Sequence, residues 1–82
     1  MYTLTIILCK LDLTKQTLVL YSQYEFGNLF AVVCSMEKYN SEEVAFVFNH
    51  RIIQSKDTPF LLNLKDGDII HVLELRHFEK KL

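Results

Sequence analysis

The sequence is poor in the residues that bend or crosslink a chain. Its 82 residues include two glycines, one proline, two cysteines and no tryptophan. With so few glycines and prolines, we expect short loops and no linker, and a chain of this length has room for one domain. Cys9 and Cys34 give neither a disulfide framework nor a metal-ligand spacing, which favours a reducing location, nuclear or cytoplasmic.

Charge of one sign and long apolar runs are also lacking. The formal net charge is −1 with both signs mixed along the chain, which argues against a nucleic-acid surface. No run approaches the roughly 18 apolar residues of a membrane span, and the start of the chain lacks the features of a signal peptide. No catalytic motif, phosphate-binding loop or metal-ligand spacing appears. We therefore expect a soluble protein that is not an enzyme, holds no metal or cofactor, and binds neither nucleic acid nor membrane.

Apolar side chains are abundant and make up half of the sequence. Alternation over residues 2–9 and again over 17–21 predicts two strands, and the polar stretch between them predicts a hairpin. Residues 26–33 carry the single helical period, with apolar side chains at i, i+3, i+4 and i+7. Two further strands are predicted over residues 44–48 and 69–73.

Three short segments connect these later elements. Asn49-His50 predicts a tight turn, because both residue types tolerate positive φ better than most. Ile52-Ile53 predicts a brief return strand after that turn. Thr58-Pro59 predicts the cap and first position of a short helical turn.

These elements predict an α+β fold of the β-grasp type, a mixed sheet of four to five strands with one main helix packed on one face. The β-grasp order places the second strand at an edge, followed by the first, the last and the third. Inward-facing apolar residues should form one core: Leu4, Ile6, Leu18, Leu20, Phe26, Leu29, Phe30, Val33, Phe46, Phe48, Ile70 and Val72.

The stretch VAFVFNHRIIQSKDTPFLLNLKDGDIIHVLEL resembles the second half of SUMO. Residues 46–48, 57–59 and 64–70 carry the likeness, which extends by pattern over nearly the whole chain. Within the SUMO-like proteins, the sequence most resembles the non-conjugated SUMO-like domains of DNA-repair scaffold proteins. The resemblance implies a domain of the ubiquitin-like superfamily over residues 1–76, followed by a charged C-terminal tail over residues 77–82.

The residues after the last strand differ from those of conjugated relatives. Ubiquitin and mature SUMO end in Gly-Gly because a thin, flexible tail must reach the catalytic cysteine of an enzyme. This sequence has Arg76-His77-Phe78 instead, and side chains of that size would block such a channel. The resemblance therefore implies a module for non-covalent protein–protein interaction that is not itself conjugated. Two alternatives remain: an obligate structural subunit or adaptor of a larger complex, and a conjugated modifier whose Gly-Gly lies outside this sequence.

The resemblance also implies two binding sites. SUMO receives short apolar peptides as an added strand beside its second strand, and the matching groove here would involve Leu18, Leu20 and Met36. The basic residues that flank this groove in SUMO are absent, so we expect no preference for acidic flanks. Asp68 matches a residue with which the family docks on the SUMO-conjugating enzyme, although neighbouring charged positions of that surface are not retained.

The outward-facing residues of the predicted sheet are apolar across four strands. Single apolar residues are normal on a surface, whereas a contiguous patch usually marks an interface. We expect this face, centred on Val47, His71 and Leu73, to bind a protein partner, such as a component of the SUMO or ubiquitin pathway, or a second copy of the chain. Its residues are Ile7, Val19, Tyr21, Val47, Ile69, His71 and Leu73, and Cys9 faces the same side.

Overall fold

The computed structural model of the chain describes residues 1–76 and begins with a β-hairpin. Strands β1 (Thr3–Cys9) and β2 (Lys15–Tyr21) pair antiparallel along their whole length. In the loop between them, the Lys10 N–H donates to the Thr14 carbonyl oxygen over 2.8 Å, and the Asp12 carboxylate accepts hydrogen bonds from the Thr14 N–H and hydroxyl. The predicted hairpin is confirmed, with β2 beginning earlier than expected.

Helix α1 (Phe26–Glu37) follows and packs the predicted apolar stripe into the core. Lys38 ends the helix in the left-handed conformation with φ of 59°, and its N–H donates to the Cys34 carbonyl oxygen. Within residues 1–76, no helix has the length and apolar character needed to cross a membrane. The ring of Phe30 stacks on that of Phe46, with centroids 4.4 Å apart, which joins the helix to the sheet.

Gly27 allows the start of α1 to approach the loop that contains Ser55 and Asp57. Its N–H donates to the Ser55 carbonyl oxygen over 2.8 Å, and a Cβ at this position would lie 3.1 Å from the Ser55 Cβ. The neighbouring Phe26 N–H donates to the Asp57 carbonyl oxygen over 2.9 Å. Two backbone hydrogen bonds therefore hold the start of the helix against this loop. The two backbones approach so closely that a residue without a Cβ, glycine, fits at position 27.

Three further strands complete the sheet: β3 (Val44–Phe48), β4 (Arg51–Ile52) and β5 (Ile69–Glu74). Asn49 and His50 connect β3 to β4 with φ of 54° and 68°, as predicted for this turn. The order across the sheet is β2-β1-β5-β3-β4, with β1 and β5 parallel and the other pairs antiparallel. The predicted order is confirmed, and β4 adds a short strand beyond β3.

The segment between β4 and β5 is a series of turns. The Thr58 hydroxyl accepts a hydrogen bond from the Leu61 N–H over 3.1 Å, and the Thr58 carbonyl oxygen accepts one from the Leu62 N–H over 3.0 Å. Thr58 thus has the cap role that was predicted, but the turns do not continue into a helix. Gly67, with φ of 89°, makes the last turn before β5.

The core lies between α1 and the inner face of the sheet, which is the face that packs against the helix. Leu18, Phe30 and Phe48 are partly buried against this core, and the other predicted core residues lie inside it. Cys34, Val44, Ile53 and Leu64 also belong to it. The predicted core is confirmed, and it fixes which side chains remain on the opposite, outer face.

Candidate protein-binding surfaces

The strand register determines which outer-face residues are neighbours. Ile7 on β1 lies opposite Ile69 on β5, and His71 on β5 lies opposite Val47 on β3. Val47 also lies opposite Ile52 on β4. Because directly opposite residues share a face, these five side chains form a continuous row across β1, β5, β3 and β4.

Val47 was predicted to lie at the centre of the binding surface, and this prediction is wrong, because only 5% of its surface is exposed. It lies between His71 and Ile52, one from each neighbouring strand, so its own side chain is covered. Cys9 faces the same side and is likewise buried, at 6% exposure. The accessible centre of this face is therefore formed by His71 and Leu73, which are exposed, and not by Val47.

A shallow depression occupies this part of the outer face. We call it the β3–β5 depression. It is lined by Val47, Phe48, Asn49, His50, Asp68, Ile69, His71 and Leu73. The Asn49-His50 turn brings His50 to its rim, a placement that was not predicted even though the turn itself was. The depression combines a buried apolar floor with exposed polar and imidazole groups, which is the usual composition of a protein-binding patch.

Asp68 lies at the rim and also stabilises the turn before β5. Its carboxylate accepts a hydrogen bond from the Lys65 N–H over 2.7 Å, and its carbonyl oxygen accepts one from the Ile7 N–H over 2.9 Å. Its side chain is partly buried. The residue predicted to dock on a conjugating enzyme therefore has a structural role in joining β5 to β1.

Val19 and Tyr21 do not join the β3–β5 depression. Their neighbours across β1 are Thr5 and Thr3, so two threonines separate them from the apolar residues of β5. Val19 is 67% exposed and Tyr21 is 60% exposed. The predicted single patch is therefore two surfaces, the β3–β5 depression and the edge of the sheet formed by β2, which we call the β2 edge.

Backbone groups of β2 alternate between β1 and the open edge. The Ser22 N–H donates to the Tyr2 carbonyl oxygen over 2.7 Å. In the β1–β2 register, the even-numbered residues are therefore the ones whose backbone groups form hydrogen bonds between the two strands. The odd-numbered Ile7 of β1 instead donates its N–H to the residue that precedes β5. Antiparallel alternation therefore directs the N–H and C=O groups of Thr17 and Val19 to the open edge.

Fewer residues of the predicted peptide groove are accessible than expected. Leu20 belongs to the core and is only 8% exposed, so it cannot line an open groove. Leu18 is partly buried, whereas Met36 on α1 is 68% exposed. Only Leu18 and Met36 of the three predicted residues are therefore accessible beside β2.

Three titratable groups have shifted pKa values, and none of them lines the β3–β5 depression. The hydrogen bond to Glu37, 3.1 Å long, raises the pKa of Lys10 at the hairpin loop. The hydrogen bond from the Thr14 hydroxyl lowers the pKa of Asp12 in the same loop. Burial raises the pKa of the Cys34 thiol, which lies on the α1 flank that faces β3 and β4. A protonated, buried thiol of this kind is a poor nucleophile.

Comparison with known proteins identifies the fold. No protein-family model and no curated protein matches the sequence. Among solved structures, the ubiquitin of Caldiarchaeum subterraneum is similar, with a TM-score of 0.77 and 17% sequence identity, over 89% of this chain and 94% of that chain. The chain therefore has the ubiquitin-like fold, and the predicted α+β β-grasp class is confirmed. At this level of identity the likeness shows the fold alone.

Proposed function

We propose that the domain is a non-covalent protein–protein interaction module of the SUMO-like type, which is neither an enzyme nor itself conjugated, and which acts in the nucleus or cytoplasm. The observation that carries the proposal is the β3–β5 depression. In it, the exposed His71 and Leu73 lie beside the buried Val47, and His50 and Asp68 supply polar groups at the rim. An apolar centre with a polar rim is the common organisation of protein interfaces.

The dimensions of the depression favour a weak, reversible contact. It spans parts of only two strands and one turn, so it suits a partner that inserts an apolar side chain beside Leu73 and meets His71 with a hydrogen-bonding group. Small interfaces of this kind belong to transient complexes. The family resemblance makes the SUMO-conjugating enzyme the first partner to test, with Asp68 at the edge of the contact.

The segment after β5 supports the non-conjugated part of the proposal. The Leu75 N–H donates to the Glu43 carbonyl oxygen over 2.9 Å, and Arg76 forms an ion pair with Glu74 over 3.0 Å. Leu75 is therefore held beside β3. A conjugated modifier needs a slender extension free to enter an enzyme channel, and the large side chains of this segment oppose that use.

The test is a titration of the isotope-labelled chain with a purified SUMO-conjugating enzyme, followed by NMR. We expect micromolar binding, with the largest shifts at Ile69, His71 and Leu73. Leu73→Asp places a charge at the centre of the depression and should weaken binding at least about tenfold. Leu61→Asp is the matched control, because Leu61 is 64% exposed and lies outside the depression.

Two results would contradict the proposal. One is equal binding by Leu73→Asp and Leu61→Asp while both remain folded, because the depression would then not be the contact. The other is the absence of binding to the SUMO-conjugating enzyme and to a ubiquitin-conjugating enzyme used in parallel, which would remove the SUMO-like type from the proposal.

A further inference from the structure

The two edges of the sheet are built differently. β4 has two residues and carries Arg51, and short, charged edges discourage strand pairing. β2 has seven residues, no proline, and no charge after Lys15. Its register with β1 continues without a bulge to Tyr21. Among residues 1–76, β2 is therefore a long open edge without the features that usually protect such an edge from pairing.

We propose that two copies of this chain associate through antiparallel pairing of their β2 strands, which would merge their sheets into one. This contact uses the β2 edge and is separate from the β3–β5 depression. A two-fold axis at Val19 places Val19 opposite Val19 of the partner and Thr17 opposite Tyr21 of the partner. Odd-numbered residues then meet odd-numbered residues, so the N–H and C=O groups that point to the open edge become paired.

The backbone N–H and C=O groups at the β2 edge match this register. Thr17 and Val19 each direct an N–H and a C=O to the edge, as the alternation established above requires. Tyr21 contributes its N–H, while its carbonyl oxygen already accepts a hydrogen bond from the Tyr24 N–H over 3.1 Å. Without any change in its own hairpin, the strand is therefore able to form the two hydrogen bonds between Val19 and Val19 of the partner, and the bond from the Tyr21 N–H to the Thr17 carbonyl oxygen of the partner.

Side chains and charges are also complementary in this register. Valine opposite valine and threonine opposite tyrosine are β-branched and aromatic pairs, which stabilise sheets. Lys15 would lie beyond the paired stretch, which ends at Tyr21 of the partner, and the first charged residue after Tyr21 in the sequence is the acidic Glu25. No like charges oppose each other along the strands, and a formal net charge of −1 on each copy gives only weak overall repulsion.

The helix explains why a second copy fits better than an isolated peptide strand. On α1, Gly27, Ala31 and Cys34 line a cavity shared with β3 and β4. Val32 and Met36, four residues apart, lie on the opposite flank, which is nearer to β2, and are 51% and 68% exposed. A two-fold axis perpendicular to the sheet keeps both helices on one side, so each copy brings its own apolar flank toward the other. A single added strand would leave that flank uncovered.

The experiment measures mass and amide exchange of the full chain as its concentration is raised. In sedimentation equilibrium, the mass should rise from the 9.7 kDa monomer toward twice that value, with a dissociation constant in the micromolar range. In hydrogen exchange followed by NMR, the amides of Thr17, Val19 and Tyr21 should become protected only as the dimer forms. The second measurement identifies the surface, whereas the first identifies only the stoichiometry.

Two substitutions of Val19 test the pairing of the β2 strands without disturbing the fold of each copy. Val19→Pro removes an N–H that points to the edge and makes no bond to β1, a position that tolerates proline. Val19→Lys places like charges opposite each other at the two-fold axis. Each should raise the dissociation constant at least about tenfold, with the fold retained by circular dichroism. Thr5→Lys is the matched control, because Thr5 lies beside Val19 on the outer face but on β1, and its dimer should persist.

Three results would overturn the proposal. One is a chain that stays monomeric at roughly millimolar concentration, far above the expected micromolar dissociation constant. Another is a dimer that both Val19 variants retain, because the contact would then lie elsewhere. The third is a monomer whose Thr17 and Val19 amides become protected only when a short apolar peptide is added, which would assign the β2 edge to peptides.

Discussion

Replacing Phe46 with alanine is the sharpest test of the core. Phe46 is 3% exposed on β3, and its ring lies 4.4 Å from that of Phe30, centroid to centroid. The substitution removes an entire ring from a packed interior and leaves one face of Phe30 without a contact. We expect the free energy of unfolding to fall by about 3–5 kcal/mol. Of this, about 0.5–1.5 kcal/mol reflects the aromatic pair.

This loss is large in relation to the whole domain. At about 0.05–0.15 kcal/mol per residue, a chain of this length has roughly 4–12 kcal/mol of stability. Phe46→Ala should therefore shift the urea midpoint strongly at an unchanged m-value and lower Tm by more than about 10 °C. Far-UV circular dichroism follows both transitions, and double-mutant comparison with Phe30→Ala isolates the ring–ring energy.

Phe60→Ala is the control for the same chemical change. Phe60 is 57% exposed, so its truncation should change the free energy of unfolding by no more than about 0.5 kcal/mol. If Phe46→Ala unfolds at the same urea concentration as the parent chain, the placement of Phe46 in the core is wrong. Equal losses in both variants would show that the two sites do not differ in burial as described.

Three further predictions concern the hairpin loop and the end of the domain. Leu13 is 78% exposed with φ of 71°, so Leu13→Gly should stabilise the fold by about 0.5–1 kcal/mol in urea unfolding, whereas Leu61→Gly should give no gain. The hydrogen bond from Thr14 lowers the pKa of Asp12 in the folded state, so the ionised carboxylate stabilises the fold above its unfolded pKa, and this stabilisation is lost as the pH falls through its folded pKa. Asp12→Asn should therefore lower the free energy of unfolding at neutral pH and weaken its dependence on acid pH. An unchanged pH profile of stability would contradict this. With ATP and SUMO- or ubiquitin-activating enzymes, the chain should form no thioester, and a thiol-sensitive band would refute the proposal that it is not conjugated.

Much of the fold could be predicted because burial alternates locally. Leu4 and Ile6 are buried while Thr3 and Thr5 are exposed, which is the alternation of a strand with one face in the core. The short β4 could be located only approximately, because two residues carry no periodic signal. Ile53, predicted to belong to it, lies one residue beyond β4 with its side chain in the core, and its N–H donates to the Phe46 carbonyl oxygen over 2.8 Å, in register with the β3–β4 pairing.

The binding surfaces could be predicted only in part, because a residue's face does not determine its exposure. Val47 was correctly placed on the outer face, yet His71 and Ile52 cover it from both sides. Val19 was expected to be continuous with the β5 residues, but the register places Thr5 beside it. Exposure depends on which side chains are opposite across strands distant in sequence, and local alternation contains no information about that.

The sheet order has a consequence for how the two proposed contacts combine. β1 lies between β2 and β5, so pairing at the β2 edge leaves the β3–β5 depression open in each copy. A two-fold axis perpendicular to the sheet also keeps both outer faces on one side, so the two depressions would face the same direction. A partner with two binding segments could then engage both, and a linked second contact strengthens binding without any new interface. Weak binding at each depression and dimerisation at β2 are therefore complementary, because avidity would supply the affinity that one small surface lacks.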